Sequence, residues 1–147
     1  MVDVGASLGD FVLAVQPSRP RRVYAIEPDY VSYRWLLHNV TANGLRRVVV
    51  CYNQPFSGTL LSSICRRERV VDFLKMDCEG CEYELANMPK ASLAKIERLA
   101  IETHEFNGHH PHELAAFLAE NGFLVRQRLN WGRGNYLFAR RPPGHAL

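Results

Sequence analysis

The chain has no long apolar run. No stretch approaches the roughly 18 to 20 consecutive apolar residues that a bilayer requires, and no apolar segment with a basic flank precedes the first strand-like segment, so a cytoplasmic protein is the default expectation. Lysine is scarce: Lys75, Lys90 and Lys95 stand among 18 basic residues, and the rest are arginine, clustered at Arg19/Arg21/Arg22, Arg66/Arg67/Arg69 and Arg140/Arg141. Such clusters can bind phosphate or nucleic acid. These lack interleaved aromatics and carry no nucleic-acid motif, so under a net charge of only +3 they read as solvated surface and no nucleic-acid partner is expected. Cysteine is limited to positions 51, 65, 78 and 81. Cys78 and Cys81 have the spacing of a metal knuckle or a redox pair, but zinc needs two further ligands, for which His104, His109, His110 and His112 are the candidates. There is no internal repeat, linker or low-complexity segment, and 147 residues at 47% hydrophobic suit one domain with a real core. That domain is expected over residues 1–141, with 142–147 as a frayed tail.

What is present is an alternation of strand and helix patterns. Residues 1–5 read as a strand turning at Gly5, followed by a helix over 8–15 that Pro17 and Pro20 end. Val23 to Ile26 is a second strand closed by Glu27-Pro28. Asp29 can cap a helix whose inward stripe includes Val31, Trp35 and Val40, and Asn43-Gly44 ends it. Further strands are expected at 48–51, 70–76 and 96–103, with a short helix at 82–87 and another from Pro111 to Glu120. A hairpin of 123–129 and 135–140, turning through Trp131-Gly132-Arg133-Gly134, closes the chain. The alternation implies an α/β fold with right-handed crossovers and helices on both sheet faces, and the ending, helix then two strands, fits a Rossmann-like seven-stranded mostly parallel sheet with an antiparallel last strand.

Two segments carry the chemistry: Met1-Val2-Asp3-Val4-Gly5-Ala6-Ser7-Leu8-Gly9 and Asp72-Phe73-Leu74-Lys75-Met76-Asp77-Cys78-Glu79-Gly80-Cys81-Glu82. Each is a buried strand ending in acid and glycine. In open parallel sheets ligands bind beyond the carboxyl ends of the strands, so these endings are expected around one cleft. The first lacks the Gly-x-Gly-x-x-Gly of dinucleotide folds, which makes NAD a poor candidate.

With Glu27-Pro28 and Ile101-Glu102-Thr103-His104, these segments resemble the FkbM family of S-adenosylmethionine-dependent methyltransferases, through an Asp-x-Gly-Ala-x-x-Gly loop and a Leu-Lys-x-Asp-x-Glu-Gly-x-Glu stretch. The resemblance implies methyl transfer, most plausibly to a hydroxyl of a small molecule, sugar or glycan. It places Asp3, Gly5, Ala6, Ser7, Gly9, Glu27 and Asp77 at the cofactor. Glu27 is expected on the ribose hydroxyls, and Tyr52 and Asn53, from their place after the third strand alone, are expected near the adenine. Asp77, Glu79, Glu102 and His104 are expected at the reacting methyl and the acceptor, with His104 as the base. Positioning dominates such a transfer, and one base relieves the acceptor oxygen of its proton.

The family positions of Cys78 and Cys81 are small or apolar, so both are expected to be small core residues, and no resident metal is expected. A divalent cation on Asp77, Glu102 and His104 is the less favoured alternative. Ser7 stands where the family has Asn, the interval from Cys51 to Val70 is short, and no segment precedes the first strand to cover a cofactor. Three other readings stay open: a non-catalytic or truncated adenosyl-binding module, an RNA methyltransferase using the arginine clusters, and a zinc or redox protein using Cys78 and Cys81. Monomer and homodimer are equally compatible with the sequence.

Overall fold

Short valine-rich runs too close together for any crossover but a helix build the first half of the sheet. The computed structural model describes residues 1–129 and 135–144. Among these, seven strands form a mixed, Rossmann-like sheet, as expected, in the order β3-β2-β1-β4-β5-β7-β6. The chain divides into two compact units, Met1–Phe56 and Ser57–Leu147.

In the first unit, β1 (Val2–Val4), β2 (Val23–Ile26) and β3 (Val49–Tyr52) are parallel, with Val4, Ile26 and Tyr52 in register. Their carboxyl ends therefore finish level and the loops that follow emerge side by side. All residues of β1 and β2 are buried, as befits strands covered on both faces. Helix α1 (Asp10–Ala14) is shorter than its apolar pattern suggested and passes into a 3-10 turn at Gln16–Ser18, where Pro17 has no N–H to continue an α-helical ladder. Helix α2 (Tyr30–Ala42) starts where expected: the Asp29 carboxylate accepts from the amides of Val31 at 2.8 Å and Ser32 at 3.0 Å. It ends at Asn43 and Gly44, the glycine at φ +69°. Its inward stripe differs from the expected one. Val31 and Trp35 are 65% and 54% exposed, whereas Leu36 and Val40 are buried with Val12, Val23 and Ala25. Leu36 and Val40 are four apart and share a face, while Trp35 lies one residue before Leu36, about 100° around the helix, and Val31, four residues before Trp35, shares that outer face.

The second unit opens with α3 (Gly58–Arg67), a helix the sequence reading left out. Ser57 caps it, accepting from Leu60 N at 3.2 Å, and Leu60, Leu61, Ile64 and Cys65 form its buried face. Strand β4 (Leu74–Met76) is shorter than expected, because Val71 makes only an isolated bridge with Ile96. A 3-10 segment, Cys81–Asn87, takes the place of the expected short α-helix, and α4 (Lys90–Leu93) follows it. Strand β5 (Arg98–Thr103) pairs parallel with β4 and antiparallel with β7 (Asn135–Arg140), which pairs in turn with β6 (Leu124–Leu129). Helix α5 (Pro111–Glu120) begins at its proline and buries Leu114 and Leu118. The expected turn at 131–134 lies outside the described residues.

Arg141 corrects the reading of Arg140/Arg141 as a surface pair. It is 7% exposed, stacks 3.7 Å over the Phe123 ring and donates to the carbonyls of Leu93, Ile96 and Asn121. Burial draws its pKa down, opposed by Glu97.

Candidate functional site

In the first unit, the loop after β1 turns at Gly5 (φ +71°), Ser7 (φ +47°) and Gly9 (φ +95°). Gly9 is also needed for space, since a Cβ there would lie 2.9 Å from Leu36 Cδ1. The loop's amides were expected to face a cofactor, but four of them bond within the protein. Gly5 N and Ala6 N both donate to Ile26 O at 3.0 Å, Gly9 N to Ala6 O at 2.8 Å, and Ser7 N to Glu27 Oε2 at 2.8 Å. Glu27, only 7% exposed, takes Asp29 N on its other oxygen at 2.8 Å. Asn53 ties in the end of β3, its side-chain amide donating to the carbonyls of Glu27 at 2.9 Å and Pro28 at 3.0 Å. The structure thus brings Gly5, Ala6, Ser7, Gly9, Glu27 and Asn53 into one hydrogen-bonded group. Asp3 lies fully buried in β1, which ends at this loop.

In the second unit, Asp77 follows β4, with Lys75 Nζ 3.8 Å from its carboxylate. It shares a hydrogen bond with Glu102, and Tyr136 Oη donates to Glu102 Oε1 at 3.3 Å. Burial and the neighbouring Asp77 charge hold the Glu102 carboxyl above its ordinary range, while Tyr136 and His104 pull the other way.

Beside this pair stands a residue the sequence reading set aside. Glu82 is fully buried, and both of its oxygens are engaged. Oε1 accepts from His104 N at 2.8 Å and lies 3.3 Å from His104 Nδ1, while Oε2 accepts from Gly80 N at 2.9 Å. His104 Nε2 points to Glu79 Oε2, 3.3 Å away on a side chain 83% exposed. Tyr83 Oη closes the group, donating to His104 O at 2.6 Å. Its pKa is pushed up to about 12 by burial and by Glu82, Glu113 and Glu105, so it remains a donor. The signal for Glu82 was its place three residues beyond Glu79, but nothing in the sequence said that its partner would come from the end of β5.

Cys78 and Cys81 form a disulfide, with Cα atoms 5.5 Å apart. They are half-buried and joined to each other, which corrects their reading as small core residues; as a disulfide they offer zinc no thiolate. Among the described residues no group of three or more His, Cys, Asp or Glu side chains is arranged to hold a metal ion. His109, His110 and His112 are exposed and pair locally, His109 with Glu113 and His110 with Glu105. Beside the Gly80 turn lies a cavity of about 260 Å³, lined by Tyr83, Glu84, Phe106, Asn107 and His109 among others.

Residues 54–125 match the methyltransferase FkbM domain. Over those residues the chain is similar to that family. The FkbM match contains Asp77, Glu79, Glu82, Glu102 and His104, whereas the glycine loop, Glu27 and Asn53 precede it. No curated protein matches the chain in sequence. Among solved structures, it is similar to M. capricolum TrmK in complex with S-adenosyl-homocysteine (16% identity, TM-score 0.68, covering 95% of this chain and 60% of that one). It is also similar to magnesium protoporphyrin IX methyltransferase from Synechocystis PCC 6803 with bound SAM (14% identity, TM-score 0.65, 96% of this chain and 69% of that one). A third is an O-methyltransferase family protein from Burkholderia thailandensis (15% identity, TM-score 0.66, 97% of this chain and 51% of that one). At these identities the likeness is one of fold, and the chain spans about three-fifths of TrmK's length. Among the described residues no helix is long and apolar enough to cross a membrane.

Proposed function

We propose that this chain is an S-adenosylmethionine-dependent methyltransferase of FkbM type that methylates a hydroxyl of a small molecule, sugar or glycan. The observation that carries it is the buried Glu82 carboxylate holding His104 beside Glu79, inside the segment that matches the family. The likeness to structures holding the cofactor or its product supports the choice of cofactor.

The first unit fits an adenosyl group. A carboxylate offers about four lone-pair positions; Glu27 gives one from each oxygen to Ser7 N and Asp29 N, and so keeps acceptor capacity for ribose hydroxyls. Ser7 and Asn53 are exposed beside it. Asp3, Gly5, Ala6 and Gly9 shape the same group, and Asp77 is assigned to the cofactor by family resemblance.

When bound, the cofactor supplies a methyl group on a sulfonium, which needs an in-line nucleophile. His104 supplies the proton acceptor. Its Nδ1 faces Glu82 Oε1, which favours the tautomer protonated there and leaves the Nε2 lone pair for an acceptor hydroxyl. The imidazolium formed in that step is then flanked by Glu82 and Glu79, which stabilise the charge. Asp77 and Glu102, sharing a hydrogen bond, act as acceptor-orienting groups.

Calorimetric titration of the purified chain with S-adenosylmethionine and S-adenosylhomocysteine tests the cofactor assignment. Micromolar binding that weakens at least tenfold in Glu27→Ala and Asn53→Ala is expected; a folded chain that binds neither compound would sink it. Methyl transfer to a panel of hydroxylated acceptors then tests the reaction.

A further inference from the structure

The disulfide stands where the catalytic loop is most constrained. The two residues between Cys78 and Cys81 both adopt left-handed backbone, Glu79 at φ +54° and Gly80 at φ +109°, and Glu79 is the one for which this conformation is unfavourable. The bond closes so short a loop that it removes little entropy from the unfolded chain, so its effect is local. It also touches the His104 support: Glu82 Oε2, which accepts Gly80 N at 2.9 Å, lies 3.8 Å from Cys78 Sγ.

We propose that Cys78–Cys81 is a thiol–disulfide exchange site, opened by a dithiol reductant, and that its oxidation state sets the conformation of the 77–82 loop. Its effect on methyl transfer rests on the role assigned to His104; the exchange chemistry does not. Both cysteines are partly exposed. A thiolate of the reductant attacks one sulfur, breaks the Cys78–Cys81 bond and forms a mixed disulfide. The reductant's second thiol then displaces the protein sulfur and leaves as its own disulfide, so two electrons and two protons pass to the protein. Reduced, Cys78 gains an S–H donor that competes with Gly80 N for Glu82 Oε2. Glu79, no longer bracketed, relaxes from its left-handed conformation and turns away from His104.

The other two thiols leave the test clean. Burial pushes both Cys51 and Cys65 up to about 11, which keeps them protonated and unreactive at neutral pH. Alkylation with iodoacetamide at neutral pH, read by mass spectrometry, should label neither Cys78 nor Cys81 in the air-equilibrated full chain and both after dithiothreitol. Hydrogen exchange at the Gly80 and His104 amides should become at least tenfold faster on reduction, with Leu99 and Ile101 in β5 unchanged. The Cys78→Ser/Cys81→Ser variant should show the fast pattern without reductant and no response to it. The proposal is overturned if the air-equilibrated chain already carries both thiols and oxidised glutathione does not close them, or if the bond opens while these amides exchange as before. Failure of the methyltransferase assignment would show separately, as absence of cofactor binding in calorimetry.

Discussion

In the proposed reaction His104 and Glu82 divide the work of a base between a partly exposed imidazole and a fully buried carboxylate. On that role His104→Gln removes the proton acceptor and should lower kcat by about 10²- to 10⁴-fold while leaving S-adenosylmethionine affinity within about twofold of the parent, as kinetics and calorimetry would read. Glu82→Ala strands the amides of Gly80 and His104 in a buried setting, which should cost about 2 to 4 kcal/mol in denaturant unfolding; an unchanged midpoint would remove Glu82 from this support. Glu102 makes a different prediction. Its folded pKa is raised, so the folded chain holds that proton more tightly than the unfolded one. The resulting stabilisation is present at acid pH and is lost as pH rises from the ordinary carboxylate range through the raised value. Glu102→Gln should therefore flatten the fall in stability as pH rises above the ordinary carboxylate range, measured as denaturation midpoint against pH.

The elements were legible to different degrees, for reasons found in particular segments. Helix α5 was readable because Pro111 and Asn121-Gly122 punctuate both ends, and α2 because Asp29 caps it. Helix α3 carried a comparable signal, Ser57 followed by Leu60, Leu61, Ile64 and Cys65, but no element was assigned to the short interval around it. The 3-10 segment after Gly80 could not be told from a short α-helix, because tertiary partners decide it: the Phe106 ring lies over Gly80, where a Cβ would stand 2.4 Å from a ring carbon. Gly80→Ala should cost about 1 to 3 kcal/mol. Phe106→Ala in that background should recover only the steric part, since φ +109° remains unfavourable for alanine. Thermal unfolding of the single and double variants would decide this, and full recovery would refute the backbone component.

At the scale of the whole molecule, Arg141 shows how one buried cation closes the C-terminal part of the second unit, joining the carbonyls at the ends of α4 and α5 and before β5. Arg141→Ala leaves three carbonyls without this donor and should lower stability by about 2 to 4 kcal/mol, with Arg141→Lys intermediate because ammonium cannot span the same fork; circular dichroism during urea unfolding would test the order. The sequence by itself determined the fold class, because strand and helix periods alternate and a parallel sheet admits few topologies. It also determined the family segment, because Leu74 to Glu82 is so specific in order and spacing. Only the tertiary structure decided that Glu27 pins the glycine loop, that Cys78 is bonded to Cys81, that Val31 and Trp35 face outward, and that His104 rests on Glu82. The physical reason is the same in each case: local pattern records which residues want burial or a turn, while the partner of a buried charge or a thiol is set by where separate strands and helices come to rest.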